Sequence, residues 1–461
     1  MEVPFNSTDN NIFFEFDTYE EFTKERVKLN YEHTLKLWYS RPTDLSNIDN
    51  RFIQQRTRQQ QRATLRKIKV FYFCSKLFKR TCLKKRMYSK GTRLCNDIFN
   101  MSSVRDESLY EIYQSVVRST IGFLNKGKRY DPAINFDELF KAGRLLWTMI
   151  AIQVEFNVPL AITDSLFGYT MLYPYTDDFV DSTSVSQEAK KEFAQIFHNR
   201  LLIGEPNYDP KSRFDGKQSK VTELQLPLLL QPYADKIGKI FDMVKFVEND
   251  WARRGEHECV YMSLATIHDS QIKSTLQHAR PRDGYTPTMA QIEQVSADKG
   301  GASLIAAGFL IEGRLTWAKM AYLEYLGFGM QLVDDLQDVP LDMENDHRTI
   351  FTQSIADGQT LDEPTARLIQ YWYCVPAYEK FADNYLVLSD AETDATLANY
   401  VYILIMKSCV LLILEAASRL QKYYSKEFFR ELMTFNPLPH KFLRRVGIEN
   451  KVMGVLRDQW F

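Results

Sequence analysis

Apolar residues recur three and four positions apart through most of this chain, the spacing of one face of an α-helix. Val and Ile do not alternate with polar residues over long runs, so the signal for β-strands is weak. The sequence therefore predicts an all-α fold. The segments with helical periodicity are 106–125, 135–160, 160–181, 187–201, 233–280, 288–312, 315–338, 363–390 and 394–425.

Two stretches between these segments are rich in turn residues and predict loops. The first is 204–230, and the second, 279–287, contains Pro281, Gly284 and Pro287. Neither stretch predicts a domain boundary. A chain of 461 residues is long enough for one large domain or two.

The stretch 401–417 is the most hydrophobic part of the chain. Lys407 and Glu415 interrupt it, and it is shorter than the span of about 20 residues that crosses a bilayer. It therefore predicts a buried core helix rather than a membrane span.

Positive charge is concentrated in one segment, although the chain as a whole has a formal net charge of −1. Residues 51–96 include fifteen Lys or Arg and no Asp or Glu, and Ile68, Val70 and Phe71 lie among the cations. Three interpretations follow: the segment packs on the main domain, lies on an anionic membrane surface, or binds nucleic acid. No recognised nucleic-acid motif accompanies the charge, so a nucleic-acid partner is not expected.

The cysteines and the first residues predict a cytoplasmic protein. The six cysteines are scattered, without the spacing of a disulfide framework or a zinc site. Met1 is followed by Glu2, Asn6 and Asp9, so no signal peptide is expected. The predicted location is the cytoplasm, with peripheral membrane contact through 51–96 as an alternative.

Two copies of an Asp-Asp-x-x-Asp motif indicate a metal site. Positions i and i+4 of a helix share a face, so the outer aspartates of each copy point the same way. One such motif is common on a solvated helix, but apolar residues flank both copies, which favours otherwise buried helices and a functional site. The motif residues are Asp177, Asp178 and Asp181 in the first copy and Asp334, Asp335 and Asp338 in the second.

The expected partner of these carboxylates is Mg²⁺ together with a diphosphate. Carboxylates that converge in a dry interior are costly unless cations neutralise them. Mg²⁺ takes oxygen ligands and commonly shares them with substrate phosphates. The two motifs therefore predict a site in which Mg²⁺ holds a diphosphate between two facing helices.

The residues around the second motif resemble the second aspartate-rich region of the trans-isoprenyl diphosphate synthases, whose general form is LGxxFQxxDDxxDVxGD. The stretch 325–342 has the sequence YLGFGMQLVDDLQDVPLD. Gln331 falls on the family's Gln, and Asp342 falls on its last Asp.

Three stretches further upstream resemble the same family. Lys299, followed by Gly-Gly-Ala-Ser, is similar to the family's Lys-Thr helix start, and 268–271 (HDSQ) lies where the family has a Gly-Gln pair. Residues 126–132 (KGKRYDP) resemble the motif GGKRxRP. The resemblance covers roughly residues 120–355, about half the chain.

Two departures favour a different reaction within the same superfamily. The elongating synthases bind isopentenyl diphosphate with an Arg in GGKRxRP and with an Arg pair just after the first DDxxD. Here the first position is Asp131, and 182–187 contain no Arg. This combination resembles the class I terpene synthases, which ionise one allylic diphosphate without condensing it with another.

The resemblance implies a single large antiparallel helical bundle of the class I isoprenoid synthase type. It divides the chain into an N-terminal extension, 1–104, and a catalytic domain, 105–461. Pro340 is expected to end or bend the helix before Asp342. The ligand spacing of the terpene synthase motif NDxxSxxxE is matched by Asp334, Asp338 and Asp342.

The resemblance also assigns roles to individual side chains. It implies about three Mg²⁺ ions with bound diphosphate, held by the aspartates of both motifs and Asp342, and cations that neutralise the departing diphosphate. Asp177, Asp181, Asp334 and Asp338 are the implied catalytic residues. The implied diphosphate-binding cations are Lys299, Lys273, Arg348, Lys128 and Arg129. The implied residues of a dry pocket are Tyr173, Phe167, Phe328, Gln331 and Gln271, with Tyr169 and Trp317 as further aromatic candidates.

The favoured function is that of a class I terpene synthase: Mg²⁺-dependent ionisation of a linear allylic prenyl diphosphate, then cyclisation or elimination with release of diphosphate. One alternative is a head-to-tail trans-prenyl diphosphate synthase in which Lys128 and Arg129 replace the missing arginines. The others are a head-to-head synthase of the squalene or phytoene type and a non-catalytic subunit that binds prenyl lipids. Substrate length, product and oligomeric state stay open, a homodimer being one alternative.

Overall fold

The computed structural model is helical throughout the part of the chain that it describes, where no β-strand occurs and β-bridges join single residues only. The predicted all-α class is therefore confirmed. The described residues are 12–46, 48, 53–77, 90–91, 93–94, 96, 98–99, 106–180, 182, 184–205, 213–218, 226–253, 257–280, 283–375 and 397–446.

Long helices make up most of the molecule, and short helices and turns connect them. A π-helical segment, Asn30–Leu35, joins the first two helices. In chain order the α-helices are α1 (Tyr19–Leu29), α2 (Lys36–Tyr39), α3 (Arg58–Leu77), α4 (Asp106–Tyr130), α5 (Phe136–Glu155), α6 (Asp164–Val180), α7 (Gln187–Leu202), α8 (Ala234–Asp250), α9 (Glu258–Ser274), α10 (Met289–Glu312), α11 (Trp317–Gln337), α12 (Val339–Glu344), α13 (Ile350–Ala356), α14 (Asp362–Cys374), α15 (Leu397–Arg419), α16 (Lys426–Leu432) and α17 (His440–Val446).

Capping residues set the ends of several predicted helices. The side chains of Asn135 and Thr316 each accept a hydrogen bond from a backbone N–H in the first turn of α5 and α11. Gly313 ends α10 in the left-handed conformation, with φ 74°, which glycine adopts without strain. The predicted loops 204–230 and 279–287 lie between α7 and α8 and between α9 and α10.

The periodic segment 233–280 forms two helices, α8 and α9, with a break between them. Trp251 is extended, with φ −122° and ψ 107°. Its indole N–H donates to the carbonyl of Leu310 at 3.1 Å, and its own carbonyl accepts a hydrogen bond from the hydroxyl of Tyr261. These tertiary hydrogen bonds override the helical periodicity of the sequence.

Helices α10 and α11 form a hairpin whose backbones touch. A Cβ atom at Gly327 would overlap the carbonyl oxygen of Gly300, and a Cβ at Gly300 would lie 2.8 Å from Cβ of Gln331. Neither position has room for a side chain, which explains the glycines. Beyond this crossing, the hydroxyl of Ser296 donates to the carboxylate of Asp335 at 3.2 Å, as expected for antiparallel helices joined by a short loop.

Helix α6 also runs antiparallel to α10. The hydroxyl of Ser165 donates to the carbonyl of Leu310 at 3.4 Å, and the hydroxyl of Tyr169 donates to the carbonyl of Ser303 at 2.9 Å. Residue numbers that increase along α6 therefore contact residue numbers that decrease along α10. Because α11 has the same relation to α10, α6 and α11 run parallel, and their C-terminal ends lie at the same end of the bundle.

Residues 12–46 belong to the core, although the sequence-based division assigned them to an extension of 1–104. Phe14, Phe22 and Trp38 are fully buried, and the indole N–H of Trp38 donates to Glu293 of α10 at 3.0 Å. The boundary predicted at residue 104 lies outside the described residues.

A buried ion pair fixes this first segment to α11. Arg26 Nε lies 2.7 Å from Glu324 Oε1, and the amide of Asn30 donates to the same carboxylate at 3.1 Å. The Glu324 carboxylate occupies the space that a Cβ at Gly301 would fill. Burial raises the pKa of Glu324 to about 7, and Arg26 opposes this rise. Loss of one partner would leave an unpaired charge in the core.

Helix α15 is the most apolar helix of the described part. By length and composition alone it could cross a membrane, and half of its most apolar stretch is buried. It packs against α5, α11, α14 and α17, and the ammonium of Lys407 donates to the carbonyl of Phe99. This packing agrees with the predicted core helix, although α15 ends at Arg419 rather than at residue 425. The helix predicted for 363–390 begins as α14, and its later half lies outside the described residues.

Substitution Gly327→Ala is expected to destabilise the protein by about 3 kcal/mol, because the added methyl overlaps the backbone of α10 and the two helices must separate. The matched control is Gly122→Ala in α4, where no heavy atom lies within 4 Å of the new methyl. That change is expected to stabilise α4 by about 0.5–1 kcal/mol. Urea unfolding followed by circular dichroism measures both, and equal effects would contradict the close crossing.

Candidate functional site

The second aspartate motif lies at the C-terminal end of α11. The helix ends at Gln337, Asp338 lies between α11 and α12, and Pro340 lies in the first turn of α12. The expectation that Pro340 ends the helix before Asp342 is confirmed. Asp342 lies on α12, where its Oδ1 is 3.0 Å from Nδ1 of His347.

The aspartates of this motif face in two directions. Asp334 and Asp338 are exposed, one turn apart on the same side of the helix end. Asp335 is buried, where it accepts hydrogen bonds from the amide of Gln331 at 2.8 Å and from the hydroxyl of Ser296 at 3.2 Å. The motif therefore offers two carboxylates to solvent and keeps one fixed against α10.

The electrostatic environment of Asp335 disfavours its ionisation. Burial raises the pKa of Asp335 to about 7, and the hydrogen bond from Gln331 opposes this rise. The carboxylates of Asp342 and Asp334 raise the pKa, whereas His347 lowers it. The backbone carbonyls at the C-terminal end of a helix add further negative potential. A cation at this end of α11 would relieve both sources of repulsion.

Two loops join beside the second motif. The backbone N–H of Arg348 donates to the carbonyl of Gln277 at 2.8 Å, and that of Ala279 donates to Asp346 at 2.9 Å. The rings of His278 and His347 stack, with centroids 4.8 Å apart. The predicted loop 279–287 therefore starts at the candidate site, through its contact with the segment after α12.

The first aspartate motif lies at the C-terminal end of α6. Asp177 and Asp178 are in the last turn of this helix, which ends at Val180; their side chains, and the whole of Asp181, lie outside the described residues. Phe179 of the same turn is fully buried, with its ring 4.4 Å from that of Phe193. Both motifs thus lie at C-terminal helix ends and, from the parallel course of α6 and α11, at the same end of the bundle.

The donor set fits Mg²⁺ only if a phosphate or the first motif adds ligands. Within the described residues, no group of three or more His, Cys, Asp or Glu is arranged to hold a metal ion. Mg²⁺ is usually bound through one or two carboxylates with waters and substrate phosphates as the remaining ligands. Asp334 and Asp338, both exposed, suit this smaller role.

The three cations predicted near the second motif occupy different positions. Lys299 is half-buried in the interior of α10, one turn after Ser296, and not at a helix start as the resemblance implied. Lys273, at the end of α9, is exposed and lies 3.9 Å from Asp298. Arg348 is half-buried in the loop after α12. Of the three, only Lys299 lies on α10, the helix whose Ser296 binds Asp335 of α11.

Lys128 and Arg129 both donate hydrogen bonds to backbone carbonyls. The ammonium of Lys128 donates to the carbonyls of Pro132 at 2.8 Å and Ile134 at 2.9 Å, which fixes the turn after α4. Arg129 donates through Nε to the carbonyl of Asn125 at 3.3 Å. Their predicted contact with a diphosphate stays a prediction.

Asp131, which stands where the resemblance places an Arg, is neutralised by a neighbouring cation. It accepts hydrogen bonds from the hydroxyl of Tyr175 at 2.9 Å and from the ammonium of Lys239 at 3.0 Å. Burial acts to raise the pKa of Asp131, but hydrogen bonds from Lys239 and Tyr175 hold it below its usual range. Asp131 therefore joins α4, α6 and α8 and brings one cation close to the end of α6.

The predicted aromatic pocket residues are not brought together. Phe167 is fully buried, with its ring 5.0 Å from that of Phe246 and the ammonium of Lys126 at 4.2 Å. Phe328 is also fully buried, but it packs against Trp38 and Tyr371 in another part of the core.

The remaining predicted pocket residues do not line a common cavity in the described part of the structure. Tyr173 is 46% exposed, so its side chain lines no dry interior space. Tyr169 donates through its hydroxyl to the carbonyl of Ser303, and Trp317 packs on Phe14. Gln271 is half-buried on α9.

A cavity of about 620 Å³ lies at the opposite end of α6, away from both motifs. Asp164, the first residue of α6, binds Lys126 at 2.6 Å and Arg213 at 2.9 Å within this cavity. It is lined by Lys126, Arg129, Tyr130, Asp164, Arg213, Phe214, Asp215, Gly216 and Phe246.

Sequence reasoning missed three side chains that complete the local geometry. Ser296 and Lys239 bind motif or near-motif residues from distant helices, and no sequence motif marks either one. His347 follows Asp342 by only five positions, and this short separation in the sequence could have indicated their contact.

The chain matches no family model, no curated protein and no solved structure.

Substitution Asp335→Asn is expected to flatten the dependence of stability on pH. The raised pKa means that folded Asp335 keeps a proton between about pH 4 and about pH 7, where the unfolded chain has lost it. Asp335 therefore makes the free energy of unfolding fall as the pH rises through this window, by up to about 1.4 kcal/mol per pH unit. Glu324 adds a slope of the same sign, which remains in the variant. Urea unfolding in EDTA at several pH values measures this slope.

The control is Asp334→Asn, the same change at the exposed neighbour. Because the Asp334 carboxylate is one of the smaller causes of the raised pKa of Asp335, this variant should narrow the pH window slightly and keep most of the slope. Equal slopes in both variants would contradict a buried proton on Asp335.

Proposed function

We propose that this protein is a class I terpene synthase, which ionises a linear allylic prenyl diphosphate and releases diphosphate. The observation that supports this function best is the parallel course of α6 and α11, which puts both aspartate motifs at one end of the bundle. Each motif lies at a C-terminal helix end, where carboxylates are unfavourable without cations. A Mg²⁺–diphosphate complex is the ligand whose chemistry suits such a surface.

In this proposal the aspartates at the end of α11 have different roles. Asp334 and Asp338 are the exposed carboxylates that would bind Mg²⁺, with Asp177 as their counterpart on α6. Bound Mg²⁺ would neutralise the charge that develops on the leaving diphosphate. Asp335, held by Gln331, would keep the end of α11 fixed against α10.

Lys299 would supply fixed positive charge from α10. It follows Ser296 by three positions, so the two side chains share a side of that helix, and Ser296 contacts Asp335. A cation there would attract the diphosphate. Exclusion of water from the reacting hydrocarbon would require Tyr173, which is exposed, to be covered when substrate binds.

A second candidate, a head-to-tail prenyl diphosphate synthase, is favoured by one contact. Lys239 lies 3.0 Å from Asp131, so this position is not the source of repulsion that its sequence indicated. A condensing enzyme must hold a second anionic diphosphate near the first, and Lys239 removes the repulsion that an unpaired Asp131 would add.

Substitution Asp334→Ala is expected to lower turnover of an allylic diphosphate about 10³-fold, because a Mg²⁺ ligand that stabilises the leaving group is lost. Asp177→Ala should have a similar effect. The measurement is the release of diphosphate with Mg²⁺ from the C10, C15, C20 and C25 allylic substrates. The matched control, Glu427→Ala, removes an exposed carboxylate from α16 and should leave turnover unchanged.

A binding measurement separates loss of ligand from loss of folding. Mg²⁺ with inorganic diphosphate should raise the melting temperature of the unchanged protein, and the shift should vanish in Asp334→Ala and persist in Glu427→Ala. An equal shift with diphosphate in EDTA would contradict a bridging metal. A folded, fully active Asp334→Ala would contradict the site.

Isotope-labelled isopentenyl diphosphate distinguishes the two candidate reactions. A terpene synthase should convert the allylic substrate to hydrocarbons or alcohols that contain no label, at a rate independent of isopentenyl diphosphate. A longer, labelled prenyl diphosphate would identify the elongating enzyme instead. In that case Lys239→Gln should raise KM for isopentenyl diphosphate more than KM for the allylic substrate.

A further inference from the structure

The basic helix α3 is anchored to the C-terminal part of the chain. The side-chain amide of Gln61 donates to the carbonyls of Met433 and Asn436, both at 2.9 Å. Just before the helix, the backbone N–H of Arg56 donates to the carbonyl of Thr434 at 2.7 Å. These contacts attach the first turns of α3 to the segment between α16 and α17.

One exposed side of α3 carries only positive charge. Arg58, Arg62, Arg66 and Lys69 follow each other at intervals of four, four and three positions, which keeps them on one side of a helix. All four are exposed. The sequence of α3 contains no acidic residue that would pair with them within the helix.

Helix α17 extends this charge. Lys441 and Arg444 are exposed, and α17 contains no acidic residue. Burial, followed by the cations Lys441, Arg58 and Arg444, lowers the pKa of His440 at the start of α17. The first turn of α3 is therefore close enough to α17 for their fields to add. The six cations Arg58, Arg62, Arg66, Lys69, Lys441 and Arg444 are called the basic surface below.

Apolar groups border the basic surface. Val70 is 63% exposed directly after Lys69. α15, which contacts α17, is the most apolar helix of the described part, and its apolar residues are buried or partly buried. A surface that combines cations with an exposed aliphatic side chain, Val70, suits lipid headgroups and the upper acyl region better than a nucleic-acid backbone, which offers no apolar phase.

We propose that the basic surface docks the protein onto an anionic lipid membrane. Lys and Arg side chains near such a membrane are attracted by its negative surface potential, over a distance of about 10 Å at about 0.1 M salt. Because the four cations of α3 lie on one side of the same helix, they meet the membrane together. The proposal does not depend on the enzymatic function, because none of these residues belongs to the aspartate motifs.

The test is sedimentation of the full chain with vesicles. Vesicles of phosphatidylcholine with phosphatidylserine should bind the protein at low salt, and vesicles of phosphatidylcholine alone should not. The triple variant Arg62→Gln/Arg66→Gln/Lys69→Gln should weaken binding about 100-fold. The matched control Lys24→Gln/Lys28→Gln/Lys36→Gln removes three exposed cations from α1 and α2 and should bind like the unchanged protein.

Each outcome decides the proposal. A selective loss in the α3 variant, with unchanged circular dichroism, supports it, as does release by salt. Equal loss in both triple variants would reduce the effect to net charge and overturn the proposal. Absence of vesicle binding at low salt, or tighter retention by a DNA or RNA duplex that vesicles do not displace, would overturn it as well.

Discussion

The close crossing of α10 and α11 is the constraint on which the rest of the structure depends. Because Gly300 and Gly327 have no side chains, the two backbones meet directly. This contact fixes the rotation of α11 about its axis, and with it the direction of each aspartate at the end of that helix. The inward aspartate, Asp335, reaches Ser296 of α10, and Asp334 and Asp338 are left facing solvent. If the two helices were further apart, Asp335 would no longer reach Ser296, and the three aspartates would not be separated into one buried and two exposed carboxylates.

Electrostatic repulsion at one end of the bundle is the second constraint. Folding brings carboxylates to C-terminal helix ends, which is unfavourable in the absence of cations. The protein reduces this repulsion where it can: Lys239 neutralises Asp131, and His347 pairs with Asp342. Proteins retain such unfavourable charge chiefly at functional sites, where a ligand compensates it. The proposed Mg²⁺–diphosphate complex is such a ligand.

The sequence predicted the features that depend on local order. Helical periodicity located α10 and α11, and Pro340 correctly marked the end of α11. The positions of Asp177, Asp178, Asp334 and Asp335 on helices also followed from the helical spacing of the apolar residues around them. These features need no knowledge of distant residues, because a helix is specified by residues three and four positions apart.

The features that the sequence could not predict depend on partners far along the chain. The break at Trp251 arises from hydrogen bonds to α9 and α10. The role of Asp131 depends on Lys239. The aromatic residues Phe167 and Phe328 are core residues, as most rings must be in a chain that is 13% aromatic. Periodicity identifies an apolar face but not the neighbour that covers it.

The buried pair of Arg26 and Glu324 has a consequence for how the chain is made. The two residues are 298 positions apart, and a ribosome adds about 5–20 residues per second. The aromatic side chains of the first segment, Phe14, Phe22 and Trp38, therefore wait in water for many seconds before their helical partners are synthesised. During that interval the nascent chain exposes apolar surface, which favours aggregation until this segment docks late in synthesis.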